Sequence, residues 1–123
     1  MALSPRDQKL LWTRARNLCS FAGCRQPLTE DQVDATTGEA FPIVVGEEAH
    51  IRSASPNGPR YDPNYPVERV ESYENRILLC PAHHTMVDAQ HGRGYTTAAL
   101  TELKKRHEKL EARRDQLATV VRH

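Results

Sequence analysis

Two pairs of soft ligands mark this chain, Cys19-x4-Cys24 and Cys80-x2-His83, separated by 55 residues. Thiolate and imidazole are the ligands Zn²⁺ prefers, and two tight turns that deliver four of them make a tetrahedral structural site. Such a site uses all three cysteines, an odd number that a pure disulfide scaffold would not carry. The alternative is three buried free thiols and a surface histidine. A metal would matter here, because aromatics are only 6% of the residues and the loops are long. Structural zinc can supply roughly 10 kcal/mol or more of folding free energy.

A second group of polar residues surrounds the second pair. His84 directly follows His83, so on a helix the two rings project about 100° apart and do not comfortably share one ion. Asp88 lies four residues after His84 on the same helical face, and the two form a platform for a harder divalent ion. The rival arrangement makes His84 the fourth zinc ligand and leaves His83 exposed. His50, in Gly46-Glu-Glu-Ala-His-Ile51, and Asn75, ahead of Ile77-Leu-Leu-Cys80, are weak signals singly. A strand histidine is commonly structural, and an Asn there is commonly a turn residue.

The elements that must hold these residues are legible in outline. Ser4, Pro5 and Asp7 are start signals for an N-terminal helix over about 5–18, with Leu10, Leu11, Ala15 and Leu18 as its apolar stripe. Cys19 to Cys24 forms a Gly-containing knuckle, and residues 25–40 read as polar and turn-rich. Phe41 to Ile51 reads as extended, with Glu48 on the face of His50 and Glu47 on that of Ala49. Five Pro and Gly residues make 52–66 an irregular loop, and loops of that length are often functional. Ile77–Cys80 is a short apolar strand, followed by a helix from Pro81 to about Asp88 or Ala89. A last helix spans about 97–119. Leu100, Leu103, Leu110, Leu117 and Val121 fall at a 3,4 spacing once His107 and Arg114 are inserted. These polar intrusions favour packing on its own domain over coiled-coil pairing.

Together, His50-Ile51, Asn75 and Cys80-x2-His83-His84-x3-Asp88 resemble the HNH endonucleases of the ββα-metal class. The flanks Leu11-Trp12-Thr-Arg-Ala-Arg-Asn17-Leu-Cys19, Gly58-Pro-Arg-Tyr-Asp-Pro63 and Tyr95-Thr96 through Leu103-Lys-Lys-Arg-His107-Glu108 are similar to HNH proteins of bacterial defence systems, so the resemblance covers about residues 5–110. It implies a single α+β domain with a zinc-pinned ββα core over 41–90 between N-terminal and C-terminal helices. It implies hydrolysis of DNA phosphodiesters, with His50 as general base and Asn75 bracing the loop that carries it. His84 and Asp88 would hold Mg²⁺, Mn²⁺ or Ni²⁺, and Cys19, Cys24, Cys80 and His83 would hold zinc. Many family members carry a metal-binding Asp or His directly before the base. Here that position is Ala49, which leaves Glu48 or Glu47 to substitute. Arg52, Arg60, Arg76 and Arg93 flank these segments and are candidates for phosphate contacts. The resemblance also implies double-stranded DNA as partner, a bacterial cytoplasmic setting in anti-phage defence or restriction, and a following domain that senses a cyclic-nucleotide signal. Residues 97–123 would then be a linker helix, and a second copy of the chain is a further expected partner. A non-catalytic zinc-knuckle nucleic-acid-binding module is the alternative function; it has no use for His50, Asn75, His84 and Asp88.

The composition bounds these readings. The 123 residues suit one domain, and 38% hydrophobic with 27% charged residues argues against wholesale disorder. No apolar run approaches the roughly 20 residues of a membrane helix, and none near Met1 looks like a secretory leader, so no membrane partner is expected. A net charge of +1 excludes a polybasic protein, yet the charge is unevenly spread: residues 26–50 hold six acids and no base, whereas 101–123 hold seven bases and four acids. A cationic surface beside an acidic segment suits a protein that grips phosphates and holds a divalent ion.

Overall fold

A computed structural model describes residues 2–122, with side chains through Ala118. The start signals act as expected. Helix α1 (Pro5–Ala15) begins where the Ser4 hydroxyl accepts the Asp7 N–H, with Pro5 in the first turn. It stops short of residue 18, because Arg16 and Asn17 both turn left-handed (φ 57° and 59°) and send the chain into the knuckle. Leu11 and Ala15 bury its inner face.

Two small antiparallel sheets follow. In the first, β1 (Thr29–Val33) pairs with β2 (Ala40–Val44). The Asp34 carboxylate closes their turn by accepting the N–H groups of Thr36 and Thr37, each at 2.8 Å. The polar reading of 25–40 left β1 out, because its sequence Thr-Glu-Asp-Gln-Val has no apolar face to bury; all five residues are exposed.

In the second sheet, β3 (Glu47–His50) pairs with β4 (Arg76–Leu79), placing His50 opposite Arg76 and Glu47 opposite Leu79. The extended stretch 41–51 is therefore two strands in two sheets. The break falls at Val45-Gly46, whose N–H groups both donate to the Leu28 carbonyl at 2.9 and 3.0 Å. Gly46 is required there, since a Cβ would lie 2.7 Å from Leu28 Cβ and 2.9 Å from the Trp12 ring.

Helix α2 (Pro81–Gly92) is regular only to Asp88; Ala89 turns extended and Gln90 and His91 left-handed. Helix α3 (Thr97–Arg122) then crosses α1 and β4. Every residue of β4 is buried, and Ile77, Leu78 and Leu79 join Leu11, Leu28, Ile51, Val87 and Leu100 in one core. The architecture is mixed α+β, with α2 packed against both β3 and β4.

The inner face of α3 differs from the 3,4 apolar stripe. Leu100, Lys104, His107 and Glu111 are buried, while Leu110 and Leu117 are exposed, and Val121 lies outside the described side chains. The buried polar groups are partnered. Lys104 pairs with Glu108 at 2.7 Å, His107 Nε2 donates to the Ala15 carbonyl at 2.8 Å, and Glu111 takes an ion pair from Arg25. Packing against α1 and β4 is thus achieved through Leu100 together with Lys104, His107 and Glu111, and of these three polar residues only His107 belongs to the 3,4 spacing.

Candidate metal centre and active site

The knuckle after α1 and the first turn of α2 meet at one point. Cys19, Cys24, Cys80 and His83 each offer a ligand atom, and all four atoms lie within 4.8 Å of one another. His83 Nδ1 stands 3.7 Å from Cys19 Sγ and 3.3 Å from Cys80 Sγ. Two ligands of a tetrahedral zinc at about 2.1 and 2.3 Å would be about 3.6 Å apart, so the cluster can hold such an ion. Local structure explains the convergence. The Cys80 sulfur caps α2 by accepting the His83 N–H, which puts His83 one turn on, over its own cap. Phe21, between the first two cysteines, stacks on the His83 ring at 4.1 Å and 8°. Burial pushes the Cys19 thiol up to about 12, against the N–H groups of Cys80 and Phe21 that point at the sulfur. A thiolate here therefore needs a cation beside it.

His83 and His84 do diverge. His84 turns from the cysteines, so the arrangement with His84 as fourth soft ligand is not the one adopted. Its Nδ1 lies 2.7 Å from Glu47 Oε1, and its Nε2 lies 3.1 Å from Asp88 Oδ2. Two neighbouring ligands of an octahedral ion at about 2.1 Å are about 3.0 Å apart, so the Nε2–Oδ2 edge fits a Mg²⁺-sized ion. The hydrogen bond to Asp88 raises the His84 pKa; burial opposes it, Glu47 adds to it, and the result lies above the usual imidazole value. Burial works to raise the Asp88 pKa, but His84 and Arg60 outweigh it and hold the carboxyl below its ordinary range.

The two acids before Ala49 have different surroundings. Glu48 accepts Trp12 Nε1 at 2.6 Å and Gln8 Nε2 at 2.9 Å, so it is committed to α1. Glu47 bonds the far nitrogen of His84, the position from which a carboxylate fixes the tautomer and aim of a metal-binding imidazole. Neither shares the Nε2–Oδ2 edge.

His50, at the end of β3, lines a cavity of about 110 Å³ with Glu48, Ala49, Ser53, Pro59, His84 and Asp88. Its Nε2 lies 2.8 Å from Glu71 Oε1, and Glu71 is gripped on its other oxygen by Arg76. Burial would raise the Glu71 pKa, but the bonds from His50 and Arg76 win and hold it below the ordinary carboxylate value. Asn75 is completely buried and laces the chain just beyond His50. Its side chain accepts the Arg52 N–H and donates to the carbonyls of Arg52 and Val70, each at 3.0 Å, and its carbonyl accepts the Ile51 N–H at 2.8 Å.

The four arginines separate. Arg93 is exposed, and Arg52 is half-buried with its guanidinium 4.1 Å over the Tyr65 ring. Arg60 and Arg76 are not surface cations. Arg76 donates to the Glu48 carbonyl at 2.6 Å and to Glu71, and Arg60 is spent on backbone carbonyls and Asp88. The expectation of phosphate contacts is corrected for these two: their charges are used inside the protein.

Sequence reasoning passed over Glu71, Phe21 and the inward role of Arg60. Glu71 sits five residues before Arg76 in a segment with no regular pattern, so only the three-dimensional fold brings it to His50. Larger grooves lie elsewhere, such as about 240 Å³ between Phe21, Leu103 and Leu110, but there His107 is bonded to the Ala15 carbonyl and Glu111 to Arg25. No protein-family model matches this chain, and no curated protein matches it either. No helix among the described residues is long and apolar enough to cross a membrane.

Proposed function

We propose that this chain is a metal-dependent endonuclease of the HNH kind that hydrolyses DNA phosphodiesters, with zinc in the Cys19–Cys24–Cys80–His83 cluster. The observation that carries the reading is the shared cavity: an imidazole with a carboxylate at its back, His50–Glu71, faces the same small space as the His84–Asp88 edge. A non-catalytic zinc-knuckle binder would need neither.

The residues divide the work. His50 takes the proton from water as its oxygen attacks phosphorus, and the P–O3′ bond breaks with the leaving oxygen protonated from solvent. Glu71, ionised through the neutral range, holds the His50 ring and steadies the imidazolium that forms. Asn75 keeps the Ile51–Arg52 backbone fixed so that the ring does not drift. His84 and Asp88 would hold a divalent ion, which would supply charge stabilisation as phosphorus is attacked and the oxygen leaves. Arg52 and Arg93 are the arginines left to meet phosphates.

The test is cleavage of supercoiled plasmid by zinc-loaded protein with Mg²⁺, Mn²⁺ or Ni²⁺, with EDTA as control. His50→Ala should lower turnover by roughly 10² to 10⁴ while leaving fold and DNA affinity in place. Asp88→Ala should be partly rescued by higher ion concentration, since it weakens a ligand set and leaves the base. DNA binding without cleavage under all three ions would instead support the binding-module reading. The bacterial anti-phage setting, cytoplasmic location and sensor partner implied by the resemblance belong to the same proposal, and phage challenge of cells carrying the His50→Ala variant tests them.

A further inference from the structure

Gly58-Pro-Arg60 and Gly92 belong to no metal cluster and supply no base, yet they meet between the two halves of the candidate site. The long loop after β3 folds back on itself: the Ser53 N–H donates to the Pro59 carbonyl at 3.0 Å, and Gly58 is so close to Ser53 that a Cβ would lie 1.9 Å from its Oγ. That fold-back delivers Arg60, itself left-handed at φ 57°, with its side chain only 5% exposed. Its guanidinium then reaches both sides. Nε donates to the Ile51 carbonyl at 2.6 Å, and Nη2 lies 3.5 Å from the His50 carbonyl. On the helix side, Nη1 donates to the Val87 carbonyl at 3.0 Å and Nη2 pairs with Asp88 Oδ1. The Asp88 carboxylate is thereby divided, Oδ1 to Arg60 and Oδ2 to His84 Nε2.

We infer that Arg60 is a positioning residue that clamps the end of β3 to α2 and so sets both the aim of Asp88 and the spacing between His50 and the His84–Asp88 pair. A planar fork with five donors can satisfy the carbonyls of His50 and Ile51 at the end of β3, a helix carbonyl and a carboxylate oxygen together; an ammonium cannot. The carbonyls of Val87 and Ile51 lie in α2 and just beyond β3, so the guanidinium works as a spacer of fixed length between them. Gly92 completes the device. It is left-handed at φ 76°, and a Cβ there would lie 2.3 Å from Arg60 Nη1 and 3.0 Å from Pro59 Cβ. The glycine keeps the space into which the fork fits.

The assignment rests on the endonuclease reading for its consequence in catalysis, but the clamp itself can be read without an ion. The full zinc-loaded chain is compared with Arg60→Ala, Arg60→Lys and Gly92→Ala, each checked for zinc content and circular dichroism. At fixed pH and with no second ion, the ring ¹⁵N resonances of His84 report its bond to Asp88. They should move in Arg60→Ala and in Gly92→Ala, where Arg60 is present but displaced. Millimolar guanidinium should return them in Arg60→Ala and not in Gly92→Ala. Titrated Mn²⁺ should bind both variants roughly 10- to 100-fold more weakly, the usual effect of losing a partner that orients a ligand. Arg60→Lys should recover only part of this. In cleavage, kcat should fall with KM for DNA unchanged. Unaltered His84 resonances in folded Arg60→Ala or Gly92→Ala would overturn the clamp. Shifted resonances in a protein that neither binds Mn²⁺ nor cuts DNA would uphold the clamp and remove the endonuclease reading. Should Arg60→Ala fail to fold, Gly92→Ala decides alone.

Discussion

Glu71 stands 2.8 Å from His50 Nε2, although 20 residues of the connection between β3 and β4 separate the two in the chain. The carboxylate is held from behind by Arg76, which sits opposite His50 in the β3–β4 register. A base so held keeps its aim at no cost in ordering during the reaction. Glu71→Gln retains shape and removes charge, so turnover should fall roughly 10-fold or more, within the 10² to 10⁴ that a positioned base contributes. KM for DNA should be unchanged, and steady-state kinetics on Glu71→Gln beside Glu71→Asp would show this. A sign follows for stability too. Glu71 is held below its ordinary pKa, so its stabilisation is present above the unfolded value near 4.3 and is lost as pH falls through the folded one.

The soft cluster gives a prediction about folding and not about turnover. Protein purified without added metal should contain close to one zinc per chain by elemental analysis. Three thiols within 4.8 Å of an imidazole nitrogen have no other evident use, since all three cysteines are free. Strong chelation, or Cys80→Ser, should lower the melting temperature sharply, because the ion's contribution of roughly 10 kcal/mol is comparable to a small domain's whole stability. A zinc-free protein melting at the same temperature would refute the structural role.

His84 predicts how divalent-ion binding depends on pH. With carboxylates on both ring nitrogens, the metal-free ring is stabilised as imidazolium, and its pKa lies above the usual 6.5. An ion taken by Nε2 must displace that proton. Affinity for Mn²⁺ should therefore fall as pH drops through the raised value and level off above it. Calorimetry in buffers of different ionisation enthalpy should find protons released on binding below the raised value and progressively fewer above it. Glu47→Gln removes one of the raising partners and should move the whole curve to lower pH.

These residues were unequally visible in the sequence. The soft ligands, His84 and Asp88 declare themselves by type and spacing, because the knuckle and the i, i+4 pair are local geometry, whereas His50 and Asn75 are weak signals singly and stand out only through the resemblance. The cap at Ser4 and the burial of Ile77, Leu78 and Leu79 are local in the same sense. What sequence hides is what the long loop does. Glu71 and Arg60 lie within it, and nothing periodic predicts that one backs His50 while the other bridges to α2. A charged residue in a loop reads as solvated; only the fold-back at Ser53 and Gly58 turns Arg60 inward. The same blindness produced the leucine stripe of α3, since Lys104, His107 and Glu111 pack inward only because Glu108, the Ala15 carbonyl and Arg25 receive them.

The count of sites predicts the form of the product. On the endonuclease proposal, one His50 and one His84–Asp88 edge would serve one phosphodiester at a time, and the strands of a duplex run with opposite polarity. Cutting both needs two copies related by a two-fold axis, or two successive visits. The surface for pairing is limited. α3 turns Leu110 and Leu117 outward, but Arg114 lies between them and is drawn toward Glu111 at 3.5 Å. Two exposed leucines bury far less than a stable dimer needs. The chain should therefore act mainly as a nickase at low concentration. Nicked circles should appear first, and linear product later, with a rate that rises more steeply than linearly with protein. Plasmid cleavage across a concentration series, beside sedimentation of the same samples, distinguishes the cases. Linear product formed directly by wholly monomeric protein would show that one copy reaches both strands.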